Sequence, residues 1–197
     1  ETEYALWRDL AGNLREMDLF FAGEAYQSQF RDFARELFQP IAGQVGWEPR
    51  PGEGHLQALL RSIALGELGV YNDPGTLEEA QRRFTAYVED PASLSPDLRA
   101  AVYGLAAQSG DEATHDTMRR LAREATLQEE KVRLFVAMRR FRQADLVQRT
   151  LELSLSSEVR PQDTVGVVTS VASTPQGRGL AWEFVKDNWE EFVRRYS

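Results

Sequence analysis

The sequence is poor in two residue types that often carry catalysis or metal binding: it contains no cysteine and only two histidines. The absence of cysteine excludes disulfides, thiolate metal sites and cysteine nucleophiles. His55 and His115 lie in unrelated segments, so neither belongs to a His-Glu-x-x-His motif, in which a helix directs two imidazoles at one zinc ion. A Gly-rich phosphate loop and a Gly-x-Ser-x-Gly nucleophile turn are also missing. We therefore predict no catalytic residue and no metal site in this chain.

Long apolar runs and excess positive charge are missing as well. No run approaches the roughly 18 apolar residues of a membrane-spanning helix. The net charge of −8 argues against general nucleic-acid binding, because a polyanion would be repelled. The stretch from Glu1 to Tyr4 shows no secretory signal pattern, so we expect a cytoplasmic protein that binds neither nucleic acid nor membrane. Because the first residue is not methionine, we also expect a chain cut from a longer polypeptide.

Helical periodicity dominates what is present. Apolar residues recur at steps of three and four from Leu6 to Met17, from Phe30 to Ile41 and in later segments. Turn signals such as Gly46 to Gly54 and Asn72 to Gly75 separate these segments. About ten helices joined by short turns are typical of helical hairpins stacked side by side. We predict an all-α fold, an irregular HEAT- or armadillo-like superhelix of stacked antiparallel pairs, in a single domain over residues 1–197.

Local signals predict where several helices begin. Thr76 to Glu79 and Thr126 to Glu129 each match a capping box, in which a hydroxyl and a carboxylate satisfy free amides at a helix start. The run from Val165 to Val171 would also suit a strand because its residues are β-branched. Pro161 and Asp163 both lie just before that run, and both favour a helix start.

A single amphipathic helix is predicted at the C-terminal end. Its apolar residues recur at helical spacing: Trp182, Val185, Trp189, Phe192, Val193 and Tyr196. Aromatic residues in such a pattern are typical of a core. We therefore expect both tryptophans to be buried, with a cost of about 3–5 kcal/mol for replacing either by alanine.

The segment from Arg160 to Trp189 combines a helix start, a helix, a Pro/Gly break and a tryptophan-containing helix. Its characteristic residues are Arg160, Gln162, Asp163, Val171, Ala172, Pro175, Gly177, Leu180, Ala181, Trp182, Phe184, Asn188 and Trp189. In order and spacing they resemble the C-terminal helical domain of gluzincin zinc aminopeptidases, the family of aminopeptidase N and of the puromycin-sensitive and endoplasmic-reticulum aminopeptidases. The resemblance is strong from Glu130 to Trp189, moderate from Trp47 onward, and slight before that.

The resemblance implies an accessory domain rather than an enzyme. The family's Gly-Ala-Met-Glu-Asn signature, which binds the amino end of the substrate, is absent from this chain. By resemblance, the zinc ion, the general base and the amine-binding glutamate belong to a catalytic domain of the same polypeptide, which would be this chain's partner. The chain itself would form one wall of the chamber that encloses the peptide substrate.

Five residues are candidates for contact with that peptide. By resemblance, Arg160, Gln162 and Asp163 lie at a helix start that faces the chamber or braces the turn beside it. Arg139 and Arg140 could form a positive patch that captures a peptide's carboxylate end. Other interpretations stay open, because Asp163 could simply cap its own helix and the arginines could be exposed helix ends that offset the helix dipole.

Two other functions are compatible with the same sequence. A free-standing HEAT-like scaffold would bind a partner protein on its concave face and would have a native mass near 22.4 kDa. An enzyme with an unrecognised site would show turnover by the chain alone, but the two unpaired histidines and the missing nucleophile motif argue against it.

Overall fold

The structure, a computed structural model, describes residues 2–196, which form eleven α-helices, one short 3₁₀ helix and no β-strand. The α-helices in chain order are α1 Thr2–Phe20, α2 Gln27–Val45, α3 His55–Val70, α4 Pro74–Glu89, α5 Pro96–Ser109, α6 Glu112–Glu124, α7 Gln128–Met138, α8 Ala144–Leu155, α9 Pro161–Ala172, α10 Gly177–Asp187 and α11 Trp189–Tyr196. The predicted all-α class is confirmed. The β-branched run from Val165 to Val171 is helical within α9, as Pro161 and Asp163 indicated.

The helices group into two compact units, with the boundary after Leu105. The first unit contains α1 to α4 and most of α5, and the second contains α6 to α11. Each unit has its own core. Whether residues 1–197 act as one domain stays a prediction.

In the first unit, α1 and α2 form an antiparallel hairpin. Near its turn, Arg31 Nε donates to Asp18 Oδ1 over 2.7 Å. At the opposite end, the rings of Trp7 and Phe38 lie 5.4 Å apart. Because the early part of α1 meets the late part of α2, the two helices run in opposite directions.

Helix α3 reverses direction again and lies beside α2. Arg35 of α2 donates to the carbonyl of Tyr71, just after α3, over 2.7 Å. At the other end, the Arg61 guanidinium donates to the carbonyls of Val45 and Gly46, where α2 ends. Arg61 is 3% exposed and forms a bidentate pair with Glu53, whose pKa the guanidinium lowers to about 2. The second hairpin is therefore held at its ends by charge-assisted bonds, one half-buried at Arg35 and one buried at Arg61.

The second unit repeats this arrangement, with alternate helices parallel. Arg149 of α8 bonds Glu112 and Asp116 of α6 at 2.9 and 2.5 Å. Farther along the same pair of helices, Arg119 of α6 bonds Glu158, just beyond α8. Because the second contact lies farther along both helices than the first, α6 and α8 run parallel.

The same reasoning applies to α7 and α9. Gln128, at the start of α7, donates to Asp163 at the start of α9 over 3.0 Å. Arg139, just after α7, donates to Ser173, just after α9, over 3.3 Å. The two helices therefore run parallel, which is the order expected of stacked antiparallel hairpins within this unit.

A neutral histidine lies in the core of the second unit. His115 is fully buried, its ring packs against Phe141 at 5.3 Å, and its Nε2 lies 3.3 Å from the Thr150 hydroxyl. Burial, together with the nearby charges of Arg149 and Arg119, lowers the pKa of His115 to about 4. The imidazole is therefore uncharged at neutral pH.

Both predicted capping boxes are wrong. Helix α4 begins at Pro74, and its cap is Asp73, whose Oδ1 accepts from the amide and hydroxyl of Thr76 at 2.8 and 2.7 Å. Thr76 therefore lies inside the first turn as the donor, because proline fits the first helical position without needing a hydrogen-bond partner for its nitrogen. Helix α7 begins after Leu127, which has no side-chain cap, rather than after Thr126.

The predicted burial of the tryptophans is also wrong. Trp182 is 64% exposed and Trp189 is 61% exposed. The residues that pack inward from this segment are Ala181 and Phe184, which are buried. The segment is also divided at Asn188, which separates α10 from α11. A helical repeat shows that residues share a face, but it does not show which face meets the core.

The exposure of Trp182 predicts that it contributes little to the stability of the isolated chain. We expect Trp182→Ala to change the free energy of unfolding by less than about 0.5 kcal/mol, as for other surface sites. The matched change Phe184→Ala should cost about 3–5 kcal/mol, because it opens a cavity in the core. Urea denaturation followed by circular dichroism measures both; similar large losses would place Trp182 in the core.

The buried histidine predicts a loss of stability on mild acidification. The unfolded chain binds a proton at His115 near pH 6.5, whereas the folded chain binds it only near pH 4. Between those values the unfolded state holds more protons, so the free energy of unfolding should fall by about 2 kcal/mol from pH 7 to pH 4.5.

His115→Phe should flatten this pH dependence, whatever its effect on stability at pH 7. Urea melts at half-unit pH steps measure it. The depressed pKa of Glu53 and of Glu158, both about 2, adds a further loss only as the pH falls below about 4.5. An unchanged slope in His115→Phe would show that other groups cause the loss.

Candidate functional site

A surface groove of about 600 Å³ lies along α7 in the second unit. Its lining residues are Gln128, Glu129, Val132, Arg133, Val136 and Arg160. From Glu129 to Val136 the four lining residues of α7 follow the spacing i, i+3, i+4 and i+7, so they form one stripe on the helix, and Gln128 stands at its start. The groove therefore combines an apolar floor of two valines with charged and amide groups along its margin.

Arg160 is held at this groove by a small polar network. Its Nε donates to Asp163 Oδ2 over 2.8 Å, and Gln128 donates to the same oxygen over 3.0 Å. Pro161 begins α9, so Arg160 stands at the helix N-cap, where its backbone is extended. The Arg160 side chain is 47% exposed. Asp163 thus links α7 to α9 and orients Arg160, and it does not cap its own helix through a backbone hydrogen bond in the described network.

The other three predicted residues lie in two places. Gln162 is exposed in the first turn of α9, beside Arg160. Arg139 and Arg140 follow the last residue of α7, and Arg139 reaches Ser173. An α-helix rises about 1.5 Å per residue, so Arg139 lies roughly 16 Å from Gln128 along the axis. The structure brings together Arg160, Asp163 and Gln162 and places Arg139 and Arg140 at the far end of α7.

Sequence reasoning missed the groove itself. Gln128, Val132 and Val136 did not stand out, because two valines on a helix look like part of a core. The available signal was their position on the same stripe as Glu129 and Arg133, which are charged. A stripe that mixes apolar and charged residues favours a half-exposed surface over a buried one.

The arginines on α6 do not form a free positive patch. Arg119 and Arg123 both bond Glu158, at distances from 2.5 to 3.3 Å. These hydrogen bonds, first from Arg119, lower the pKa of Glu158 to about 2. Arg120 pairs with Glu124 one turn away at 2.9 Å. This cluster therefore ties α6 to the end of α8 and is occupied by internal ion pairs.

The described part of the chain offers no constellation for metal binding. Among residues 2–196, no group of three or more His, Cys, Asp and Glu side chains could hold a metal ion. His115 is sealed in the core and His55 begins α3 in the other unit. The residues therefore do not fit a zinc ion, and no chemical step can be derived through one here.

No helix in residues 2–196 has both the length and the apolar character needed to cross a bilayer. The cytoplasmic location stays a prediction.

The groove combines apolar and charged side chains. Its valines can cover apolar side chains, and its guanidinium groups can pair with carboxylates. It offers no histidine, cysteine or nucleophile–base pair among its lining residues.

Comparison with known proteins identifies relatives over the whole length of the chain. The family model described as "ERAP1-like C-terminal domain" matches residues 1–197. The chain is 33% identical to "Aminopeptidase M1-A" of Oryza sativa subsp. japonica over 205 aligned positions that cover all of this chain and 23% of the relative. It is 35% identical to "Aminopeptidase M1" of Arabidopsis thaliana, covering 86% of this chain and 20% of the relative. It is 30% identical to "Glutamyl aminopeptidase" of Bitis rhinoceros, covering all of this chain and 21% of the relative.

The chain therefore spans about a fifth of the length of the curated relatives that it matches. The resemblance first carried by the motif from Arg160 to Trp189 is confirmed and extends to the first helices, where the resemblance was slight. The match over residues 1–197 and the aminopeptidase relatives show that the chain belongs to the family of ERAP1-like C-terminal domains of M1 aminopeptidases.

Proposed function

We propose that this chain forms one wall of the substrate chamber of a zinc-dependent aminopeptidase and holds part of the peptide from which the enzyme removes N-terminal residues. The observation that carries the proposal is the groove along α7, with Arg160 oriented at one end. A binding groove without catalytic groups, in a domain of this family, supports a role in positioning rather than in chemistry.

The dimensions of the groove suit a short stretch of peptide. The lining residues of α7 run from Gln128 to Val136, or roughly 12 Å, and an extended chain that advances about 3.3 Å per residue places about four residues along that length. Val132 and Val136 provide an apolar surface for alternate side chains. Arg160 lines the groove, and Arg139 follows the last residue of α7, about one turn beyond Val136. A peptide's terminal or side-chain carboxylate could therefore reach either guanidinium.

Arg160 is suited to this contact because Asp163 engages only part of it. The described bond uses Nε, and a guanidinium has four further N–H donors. Asp163 and Gln128 restrict the side chain, so less conformational freedom is lost when a carboxylate binds. Gln162, exposed on the next turn, can add a hydrogen bond to the peptide backbone.

The chemistry belongs to a catalytic domain of the same polypeptide in this proposal. The names of the relatives and the fraction of their length that this chain covers support a longer native protein. That domain would supply the zinc ion, the general base and the group that binds the substrate's amino end. The absence of cysteine suits a cytoplasmic location.

The alternative is a free-standing scaffold whose groove binds another protein. The two functions differ in the mass of the native gene product. We expect an immunoblot of source-cell lysate, probed with an antibody against this chain, to show a band several times larger than 22.4 kDa that co-purifies with chelator-sensitive aminopeptidase activity. A band near 22.4 kDa would favour the scaffold.

Substitution of Arg160 should separate long substrates from short ones. In the full-length polypeptide, we expect Arg160→Ala to lower kcat/KM for peptides of about eight residues or more by about 5- to 30-fold, through a raised KM. This corresponds to one charge-assisted hydrogen bond, about 1–2 kcal/mol. Single-residue amide substrates should be unaffected, because they are too short to reach the groove.

Arg120→Ala is the matched control, since Arg120 is an exposed arginine of the same unit that pairs with Glu124 away from the groove. It should leave both substrate classes unchanged. An equal loss on long and short substrates in Arg160→Ala would make Arg160 a structural residue and refute its contact with the peptide.

A further inference from the structure

One face of α10 and α11 exposes two tryptophans and a valine together. We call it the tryptophan face and define it as Trp182, Lys186, Trp189 and Val193. These residues follow the spacing i, i+4, i+7 and i+11, which places them along one stripe. Trp182 is 64%, Trp189 61% and Val193 46% exposed.

The stripe is continuous although Asn188 separates α10 from α11. The amide of Asn188 donates to Phe184 O over 3.1 Å, and the amide of Phe192 donates to Asn188 O over 3.1 Å. The helical hydrogen-bond pattern therefore passes through the junction. The side chains of the tryptophan face can accordingly act as one surface.

The opposite side of the same helices already has its partners in the second unit. Phe184 is buried and packs edge-on against Phe192, with ring centroids 6.2 Å apart. Arg195 bonds the carbonyl of Leu155 at the end of α8, and the Tyr196 hydroxyl donates to the carbonyl of Pro161. These contacts set the rotation of α10 and α11. The tryptophans therefore cannot turn inward without breaking them.

The size of the face indicates what kind of partner covers it. A tryptophan presents up to about 250 Å², so two that are about 60% exposed offer roughly 300 Å², and Val193 brings the total to under 400 Å². A stable dimer between separate molecules needs about 800 Å² on each partner. Contacts between domains of one chain bury 600–1,500 Å² in total, or about 300–750 Å² a side. Since an interface is about 56–58% non-polar, these areas correspond to about 450 Å² of apolar surface a side for the dimer and about 170–430 Å² a side for the contact between domains. The apolar area of the tryptophan face lies within the second range and below the first value, which favours a tethered partner over a second copy.

From this we infer that the tryptophan face docks against the part of the same polypeptide that lies outside this chain. The inference rests on the proposed function, in which this chain is one domain of a longer aminopeptidase. Relatives are four to five times as long as the matched segment, since it covers 20–23% of them. A covalent link raises the effective concentration of the partner, so a small interface anchored by two tryptophans suffices.

The rim of the face adds a constraint on the partner. Lys186 lies 5.8 Å from the centre of the Trp182 ring and pairs with Glu183 at 2.7 Å. Charges of both signs thus border the apolar centre. The partner surface should be an apolar pocket or patch with a mixed polar edge, rather than a strongly charged surface.

Hydroxyl-radical footprinting of the full-length polypeptide tests the inference. The quantity measured by mass spectrometry is the oxidation rate of each tryptophan in the folded polypeptide divided by its rate in the denatured one. Docking predicts a ratio below about 0.1 for both Trp182 and Trp189, similar to that of buried Met118, which is 0% exposed. Ratios near 0.6, the exposure seen in this chain alone, would overturn docking.

Two other outcomes would assign the face to a different occupant. Protection that depends on protein concentration would assign it to a second copy, and protection seen only with bound peptide would assign it to substrate. Either result overturns the inference.

Substitution provides an independent readout. In the full-length polypeptide, Trp182→Ser with Trp189→Ser should lower the thermal midpoint by several degrees, because the interface loses its two anchors. Leu127→Ser is the matched control, since Leu127 is 69% exposed in the same unit and lies outside the tryptophan face. It should shift the midpoint by no more than about 1 °C. An equal shift in both variants counts against docking.

The two proposals can fail separately. A large aminopeptidase with exposed tryptophans would retain the proposed function and refute the docking inference. A native product no larger than this chain would remove the proposed partner and refute both. If Arg160→Ala left kcat/KM for long peptides unchanged while both tryptophans were protected, only the peptide contact would be refuted.

Discussion

The carboxylate of Asp163 is the point on which the proposed binding site depends. It accepts one hydrogen bond from Gln128 of α7 and one from Arg160 at the start of α9. The first bond sets the register of two parallel helices, and the second places a guanidinium at the end of the groove along α7. Because one oxygen receives both bonds, the groove and its charged end are positioned together.

Buried or half-buried ion pairs perform a similar task at other helix ends. Arg61 closes the end of α2 in the first unit, and Glu158 gathers Arg119 and Arg123 in the second. Hairpins of this kind bury an apolar face along their length but leave carbonyls and amides at their ends. Arginine, with several donors in a fixed plane, satisfies carbonyls and carboxylates at once. The arginine-rich composition thus has a structural use.

The family and the helical class could be predicted from the sequence, because both depend on local patterns. Apolar residues at helical spacing identified the helices, and the motif from Arg160 to Trp189 identified the relatives. The predicted capping boxes were wrong because several residues near each turn can cap the helix that follows. The choice between Asp73 and Thr76 as the cap depends on the backbone geometry that Pro74 permits. The groove was missed because Val132 and Val136 share their spacing with core residues, and only the packing of α7 leaves them at the surface.

The tryptophans show most directly what a local sequence pattern cannot predict. The sequence by itself determined that Trp182, Trp189 and Val193 share one stripe of a helix, because that follows from 3.6 residues per turn. Only the tertiary structure decided that Ala181 and Phe184 pack inward and that the tryptophan stripe faces outward. The physical reason is that hydrophobicity alone does not orient a helix with apolar residues on two sides. Its rotation is set by contacts distant in sequence, here those of Arg195 with Leu155 and of Tyr196 with Pro161.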